Sequence, residues 1–468
     1  MKIEQIYTGC LSQGAYYIES DGEVAIIDPL REVQPYLNKA KTNNSKIKYI
    51  FETHFHADFV SGHVTLAELT KAPIIFGPNA NPTFDCIIAK DQQVFKLGKI
   101  SIQVLHTPGH TMESTCYLLQ DENRKDHALF SGDTLFLGDV GRPDLAQKSN
   151  EITQEDLAGI LFDSLREKIM ILSDEVIVYP AHGSGSACGK NLSKETVGTI
   201  GEQKRNNYAL RADMTKEEFI KEVTDGLLPP PAYFPMNVKL NKEGYQNVAN
   251  IVQNAKAISV DDLEVVAEET NALLLDVRHQ DDFSNGHIPN SIFIGLDGGF
   301  APWVGALITD ANQPIILITP IGREEEAITR LSRVGYDATL GFVNGGFEAW
   351  KNAGKEFATI KSVTALELEN SFTTSDLPIF DVRKSGEFNS EHIETALSTP
   401  LDFLNDHLEK FSKEKHFYVH CAGGYRSVMA ASILKARGIH NSIDIKGGYG
   451  EIKNTSIPKT TFVCPSTI

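Results

Sequence analysis

At 468 residues the chain is too long for one hydrophobic core, and the usual domain size divides it into roughly three domains. Asp and Glu number 62 against 44 Lys and Arg, a formal net charge of −18, which argues against binding nucleic acid or an anionic membrane and for a small-molecule substrate. The first residues carry no apolar signal core and no apolar run reaches bilayer length, so a cytoplasmic location is expected; the six cysteines, spread from Cys10 to Cys464 without a C-x-x-C pair, are expected as thiols.

In chain order, short apolar runs predict strands at 15–18, 24–27 (ending at Asp28-Pro29), 47–51, 72–76, 94–95, 100–105, 115–119, 128–130 and 176–178. Many short strands with few helices between them predict sheet packed on sheet with helices outside. Ligand-type residues fall where these strands stop. His54, His56 and Asp58 follow one strand, His110 follows another through Thr107-Pro108-Gly109, Asp133 follows a third and His182 a fourth. Four strand ends that each deliver a histidine or carboxylate to one rim point to a metal.

The spacing H-x-H-x-D at 54–58, with Gly109-His110, Ser131-Gly132-Asp133 and Ala181-His182-Gly183, resembles the metallo-β-lactamase superfamily over roughly the first 240 residues. That resemblance implies an αββα sandwich. In binuclear members such as glyoxalase II a second histidine follows the motif aspartate and helps hold a second zinc; here that place is Phe59, which has no lone pair to donate. Within the superfamily the pattern is similar to the persulfide dioxygenases. Their ligands map onto His54, His110 and Asp133, a two-histidine, one-carboxylate face that leaves three positions open and suits a single Fe(II) per chain, whereas zinc has no accessible redox change. His56, Asp58 and His182 are then expected to hydrogen-bond the ligands or bound water.

Two further stretches flank this set. The turn Gly138-Asp139-Val140-Gly141-Arg142-Pro143-Asp144 carries an Arg142 that either pairs with a substrate carboxylate or is a solvated part of a structural turn. The Gly-rich stretch 181–191 places Cys188 and Lys190 where a thiol substrate could approach, although a non-catalytic role is the stronger reading of Cys188. A polar helix is expected over 215–223, followed by the extended run Leu228-Pro229-Pro230-Pro231 as an arm wrapping back on its own domain. Domains are accordingly expected at 1–245, with a linker at 246–257, then at 258–357 and 358–468.

The last two domains are copies of one another. Asp276-Val277-Arg278 is echoed by Asp381-Val382-Arg383, His287 by His392 and Leu296 by Leu401, all 105 positions apart, and Gly345-Gly346 by Gly447-Gly448, 102 apart. A period near 100 fits duplicated domains, not a solenoid, and each copy alternates β and helical runs as a parallel α/β sheet does. D-V-R at a strand end, the following F and H-I, and the closing G-G-x resemble rhodanese domains. In the second copy a buried strand, 417–419, leads into His420-Cys421-Ala422-Gly423-Gly424-Tyr425-Arg426 and a helix. A thiol so placed meets backbone N–H groups and the positive helix end, which favours thiolate, so Cys421 is expected to be a nucleophile. Ala422, Gly423, Gly424 and Tyr425 would form the loop that holds a persulfide or anion, and Arg426 would add charge for sulfite or thiosulfate. The C-x₄-R loop is one residue shorter than in rhodanese-like phosphatases, which favours sulfur transfer. The first copy has Thr319-Pro320-Ile321-Gly322-Arg323 there, with no cysteine, and reads as a structural or docking domain in which Gly322 and Arg323 survive.

The order of domains resembles bacterial persulfide dioxygenase and sulfurtransferase fusions of the sulfide-detoxification type. That resemblance implies an enzyme that oxidises a low-molecular-weight persulfide (of glutathione, coenzyme A or bacillithiol) with O₂ to sulfite, and a Cys421 persulfide that forms or uses thiosulfate. A homo-oligomer is expected. The alternatives are a zinc-dependent thioesterase of glyoxalase II type joined to a sulfurtransferase, and a non-enzymatic persulfide sensor or carrier.

Overall fold

The computed structural model describes residues 1–147, 151–190, 192–227, 229–372 and 376–464. The chain divides into two compact units, Met1–Val248 with Ser332–Gly335, and Ala249–Leu331 with Tyr336–Ile468. Among the described residues no helix is long and apolar enough to cross a membrane, and no disulfide joins the cysteines.

The first unit holds two six-stranded sheets. One is built from β1 (Lys2–Thr8), β2 (Gln13–Ser20), β3 (Glu23–Ile27), β4 (Lys46–Phe51), β5 (Ile74–Phe76) and β6 (Ile87–Ile88), in that order. The other is built from β7 (Val94–Leu97), β8 (Ile100–His106), β9 (Thr115–Gln120), β10 (Asp126–Gly132), β11 (Ile177–Pro180) and β12 (Gly198–Thr199), again neighbouring in chain order. Successive side chains of a strand point to opposite faces, and in β2 and β3 both faces are buried. Tyr16, Ile18, Ala25 and Ile27 pack between the sheets against Ile102, Val104, Tyr117 and Phe130. Ala15, Tyr17, Val24 and Ile26 face the other way, onto Tyr36, Ala40 and Leu66 of the helices Gln34–Thr42 and His63–Thr70. On the far side, Leu118, Leu129 and Val178 pack on Leu161 and Phe219 of the helices Gln154–Ser164 and Lys216–Thr224. Helix, sheet, sheet, helix is therefore the layer order, the αββα arrangement expected.

The run at 2–8, too polar to stand out as a strand, pairs along its whole length with β2. Leu228 of the proline run lies outside the described residues and Pro229, Pro230 and Pro231 are in no helix; beyond them Tyr233-Phe234-Pro235 opens a helix, Phe234–Glu243, with proline in its first turn, where the missing N–H costs nothing. The interval 246–257, expected as a linker, holds a helix, Val248–Asn254, and most of β13 (Lys256–Ile258).

The second unit contains the duplicated copies. With β13, the first is built from β14 (Leu273–Asp276), β15 (Ile292–Phe293), β16 (Ile315–Ile318) and β17 (Thr339–Val343), ordered β13-β17-β16-β14-β15. The second is built from β18 (Ser362–Val363), β19 (Ile379–Asp381), β20 (Leu397–Ser398), β21 (Phe417–His420) and β22 (Ser442–Ile445), ordered β18-β22-β21-β19-β20. All pairs are parallel. The repeated D-V-R and H-I residues do the same work twice. Arg278 holds Asp276 at 2.6 Å and the Gly286 carbonyl at 2.8 Å, as Arg383 holds Asp381 at 2.6 Å and the Glu391 carbonyl at 2.8 Å. His287 stacks on Phe283 at 4.0 Å and His392 on Phe388 at 3.7 Å.

Candidate functional site

The segment leaving β4 is pinned from below by Asp28, at the end of the neighbouring β3. Its carboxylate accepts the Thr53 N–H at 2.8 Å and the Thr53 hydroxyl at 2.9 Å. With that hydroxyl proton spent on Asp28, the Thr53 oxygen 3.0 Å from His54 Nδ1 acts as an acceptor, which places the His54 proton on Nδ1 and turns a bare Nε2 to the rim. His110 is arranged the same way, its Nδ1 2.8 Å from the Arg142 carbonyl. Close approach explains two glycines here. A Cβ on Gly109 (φ +139) would stand 2.4 Å from the Leu161 Cα, and one on Gly141 would stand 2.1 Å from the Asp133 carbonyl and 2.8 Å from His110 Nδ1.

The Nε2 atoms of His54 and His110 converge on one oxygen of Asp133, at 3.9 and 3.4 Å. The three residues, all buried, form a group of the size that holds a metal ion. Neither Asp133 oxygen has a hydrogen-bond partner, although the side chain is fully enclosed; an ionised carboxylate left so would cost several kcal/mol. A cation between the three satisfies it, so the residues present fit a metal. Burial first, then the neighbouring imidazoles, hold His54 well below the usual histidine range, which keeps it in the neutral form that ligates.

His56, Asp58 and His182 form an adjoining group. His182 Nε2 lies 3.4 Å from Asp58 and 3.6 Å from Asp133, and its Nδ1 lies 3.3 Å from the Ser12 carbonyl. The His56 Nε2 is 3.1 Å from Asp28 and 3.6 Å from Glu52, and its Nδ1 is buried without a hydrogen-bond partner. Burial alone would lower its pKa, but Asp28 and then Glu52 raise it to about 9. Phe59, fully buried, packs its ring 4.4 Å from that of His56. Phe59 therefore withholds one donor, but Asp58, His182 and Cys188 still stand beside Asp133.

Three residues take other roles than the sequence suggests. The Arg142 guanidinium donates through Nε and Nη2 to the two oxygens of Asp144, at 2.6 and 2.7 Å, and through Nη1 to the Ala187 carbonyl at 3.2 Å, while its own carbonyl lies 2.8 Å from His110 Nδ1. Lys190 reaches the Glu222 carbonyl at 2.8 Å and that of Asp225, away from the ligands. Cys188 moves the opposite way, buried and grouped with Asp133 and His182, its thiol pushed well above the usual range by burial and then by Asp58 and Asp133. Of the stretch 181–191, Asn191 lies outside the described residues. Sequence reading missed Asp28, Glu52 and Asn241. Asp28 had a signal, since it ends a strand as the other site residues do; Asn241 had none.

At the other candidate site, Cys421 follows β21 and is buried. Gly424, in the left-handed region (φ 93), turns its N–H onto Cys421 Sγ at 3.1 Å, and the Ser427 hydroxyl lies 3.6 Å away. The helix Tyr425–Ala436 starts there. Arg426 is held by both oxygens of Glu387, at 2.6 and 2.8 Å. The Tyr425 side chain leaves the loop altogether and donates to the Gly295 carbonyl at 2.9 Å.

In the first copy, Val277 N–H meets Ile318 as Val382 N–H meets His420, which sets Thr319 at the place of Cys421 and, counting on, Glu324 at that of Arg426. Arg323 is thus not the surviving counterpart; it pairs with Asp297 at 2.7 Å and Glu326 at 2.8 Å. Glu324 accepts from Gly322 N–H at 3.1 Å and Thr319 Oγ1 at 3.3 Å. The chain's own carboxylate thus accepts from the loop N–H of the first copy.

The family model for the metallo-beta-lactamase superfamily matches residues 8–84, and that for the rhodanese-like domain matches 259–353 and 364–455. The chain belongs to the metallo-β-lactamase superfamily and carries two rhodanese-like domains behind that fold, an enzyme-type pairing with a metal-binding site. A metallo-beta-lactamase crystal structure from Staphylococcus aureus is 32% identical, covers 74% of this chain and 99% of its own, and has a TM-score of 0.65. The human mitochondrial persulfide dioxygenase ETHE1 is 27% identical over 47% of this chain and 78% of its own length. A probable hydroxyacylglutathione hydrolase of Schizosaccharomyces pombe, glo2, is 30% identical over 38% of this chain, which spans 66% of that relative.

Proposed function

We propose that the protein is a persulfide dioxygenase joined to a sulfurtransferase, with domains at 1–245, 258–357 and 358–468. The observation that carries this reading is the convergence of His54, His110 and an otherwise unpartnered Asp133 in a chain that also holds a thiol under a helix N-terminus. His54, His110 and Asp133 would hold one Fe(II), which supplies redox chemistry toward O₂ that zinc lacks. The protein's own groups do the rest. Thr53 and the Arg142 carbonyl fix the imidazole tautomers, and Asp58, His182 and Cys188 line the side where a persulfide would lie.

The overall reaction balances as RSSH + O₂ + H₂O giving RSH, sulfite and two protons. At the second site the Cys421 thiolate attacks the outer sulfur of a second persulfide, RSSH, whose S–S bond breaks to release the thiolate RS⁻ and leave Cys421-S-SH. Sulfite attacks the outer sulfur of Cys421-S-SH, the S–S bond breaks, thiosulfate and a proton leave and the Cys421 thiolate returns; the reverse reaction uses thiosulfate. Gly424 N–H is positioned to stabilise the sulfur anion. The low-molecular-weight carrier, glutathione, coenzyme A or bacillithiol, is set by the test: iron content and O₂ uptake measured together on a panel of persulfides. One iron per chain and persulfide-dependent uptake are expected, and their absence overturns the reading.

A second reading has a specific observation behind it. The adjoining group His56, Asp58 and His182, with the likeness to a hydroxyacylglutathione hydrolase, favours a two-zinc thioesterase. Two zinc ions per chain and hydrolysis of a glutathione thioester would establish it in place of the first.

A further inference from the structure

The loop that carries Cys421 is braced by the copy that has no cysteine. Tyr425 directly follows Gly424, the residue whose N–H touches Cys421 Sγ, and is the first residue of the helix Tyr425–Ala436. Its side chain is not in the second copy at all. The phenol donates to the Gly295 carbonyl at 2.9 Å, and the ring meets that of Phe293 edge-on at 5.7 Å between centroids.

The socket is shaped by two glycines. A Cβ on Gly298 would stand 2.5 Å from both Cζ and Oη of Tyr425, and one on Gly295 would stand 3.0 Å from Cε2. Neither glycine has the left-handed φ that by itself calls for glycine; at Gly298 the tyrosine leaves no room for a side chain, and at Gly295 it does so together with Phe293 Cζ at 3.0 Å and the Arg278 carbonyl at 3.1 Å. A second tie lies further along the same helix, where Ser432 Oγ accepts the Phe293 N–H at 2.9 Å. The arrangement is not reciprocal: Arg323, which stands in the first copy where Tyr425 stands in the second, stays with Asp297 and Glu326 of its own copy.

Buried polar contacts of this kind fix a backbone when every partner is satisfied. Here the fixed backbone presents the donor to the reacting sulfur. Displacing the ring would free Gly424 to rotate and its N–H to leave Sγ, with no side chain that touches substrate altered.

We propose that Tyr425 is a positioning residue for sulfur transfer, and that the Cys-less domain is an integral part of the Cys421 site through the Gly295 and Gly298 socket. This rests on the reading of Cys421 as a sulfur carrier. The test is a double-mutant cycle in the full chain, with Tyr425→Phe, Tyr425→Ala, Gly298→Ala and Gly298→Ala/Tyr425→Ala assayed for sulfur transfer from thiosulfate to cyanide. The pH profile of kcat/KM is followed, with thermal unfolding as the check on folding.

Tyr425→Ala and Gly298→Ala should each lose about tenfold in kcat/KM, and the pair should lose no more than either alone. The acid limb of the profile, which reports the nucleophile in the free enzyme, should move to higher pH in both. Tyr425→Phe keeps the ring in the socket and should stay within about threefold of the wild type. Additive losses, or a Gly298→Ala protein as active as the wild type, would overturn the proposal. A wild type with no turnover would reject Cys421 as carrier, and the inference with it.

Discussion

At the scale of single residues, the two sites make separable demands. His110 turns Nε2 toward Asp133, 3.4 Å away, and belongs to the first unit, whereas Cys421 belongs to the second. His110→Ala should therefore abolish O₂ uptake on persulfide while sulfur transfer from thiosulfate continues, as an oxygen electrode and a cyanide assay on one preparation would show. Cys421→Ser leaves the first unit untouched and should switch the end product of persulfide oxidation from thiosulfate to sulfite, readable by ion chromatography. Asp444 in β22 adds a pH effect. Burial lifts its carboxyl from 3.8 to about 6, against a hydrogen bond from Ser427. Between those pH values the folded protein holds a proton that the unfolded chain has released, so this contribution to stability is full below 3.8 and is lost as the pH rises to 6. The loss amounts to at most ~3 kcal/mol. Asp444→Asn should remove that slope and unfold at higher urea than the wild type at pH 7.

At the scale of elements, strand ends deliver the ligands and a late helix holds them still. The helix Phe234–Glu243 sends Asn241 under the H-x-H-x-D segment, where its amide donates to the His56 and Phe59 carbonyls at 2.8 Å and its oxygen accepts the Ser61 N–H at 2.8 Å. Asn241 is buried, so each lost bond leaves a buried backbone group bare. Asn241→Ala should cost the first unit about 3 kcal/mol, roughly 1 per bond, and should speed loss of bound metal to a chelator. Unchanged chelator kinetics would mean that the segment holds its shape without this helix. The turn 138–144 acts similarly, through a carbonyl and a glycine instead of the arginine side chain that draws attention in the sequence.

For the whole molecule, one chain carries both a group of residues that could hold a metal ion and a buried thiol at a helix N-terminus, and sulfite links the two proposed reactions. If sulfite is released between them, the sites need not share a chain. Mixing His110→Ala protein with Cys421→Ser protein should restore thiosulfate formation from persulfide and O₂ to near the wild-type yield at saturating protein. A mixture that accumulates sulfite would show that transfer depends on both sites belonging to one chain. The duplication has a further consequence at this scale. The first copy kept its fold-holding Asp276, Arg278 and His287 while Thr319 and Glu324 stand at the places of Cys421 and Arg426; on the proposal above, its contribution comes through contact with its twin.

By itself the sequence determined the domain order, the two-sheet class of the first unit, the duplication of the rest, and the positions of His54, His110, Asp133 and Cys421. Strand periodicity, a ligand-type residue at each strand end and a glycine loop between strand and helix point to a metal rim and a reactive thiol; the choice of His54, His110 and Asp133 within that rim is what the resemblance to persulfide dioxygenases implies. Strand 2–8 was hidden because its side chains are mixed in polarity and only pairing with β2 makes it a strand. What the tertiary structure decided was where long side chains go. Arg142, Lys190, Arg426 and Tyr425 each have a plausible local task, and each also meets a partner that the sequence does not reveal: Asp144, the Glu222 carbonyl, Glu387 and the Gly295 carbonyl. Cys188, conversely, is brought beside Asp133 and His182 by the path of its loop. A flexible side chain reaches several ångströms in any direction from its Cα, and spacing along a chain carries no information about which distant group lies within that reach.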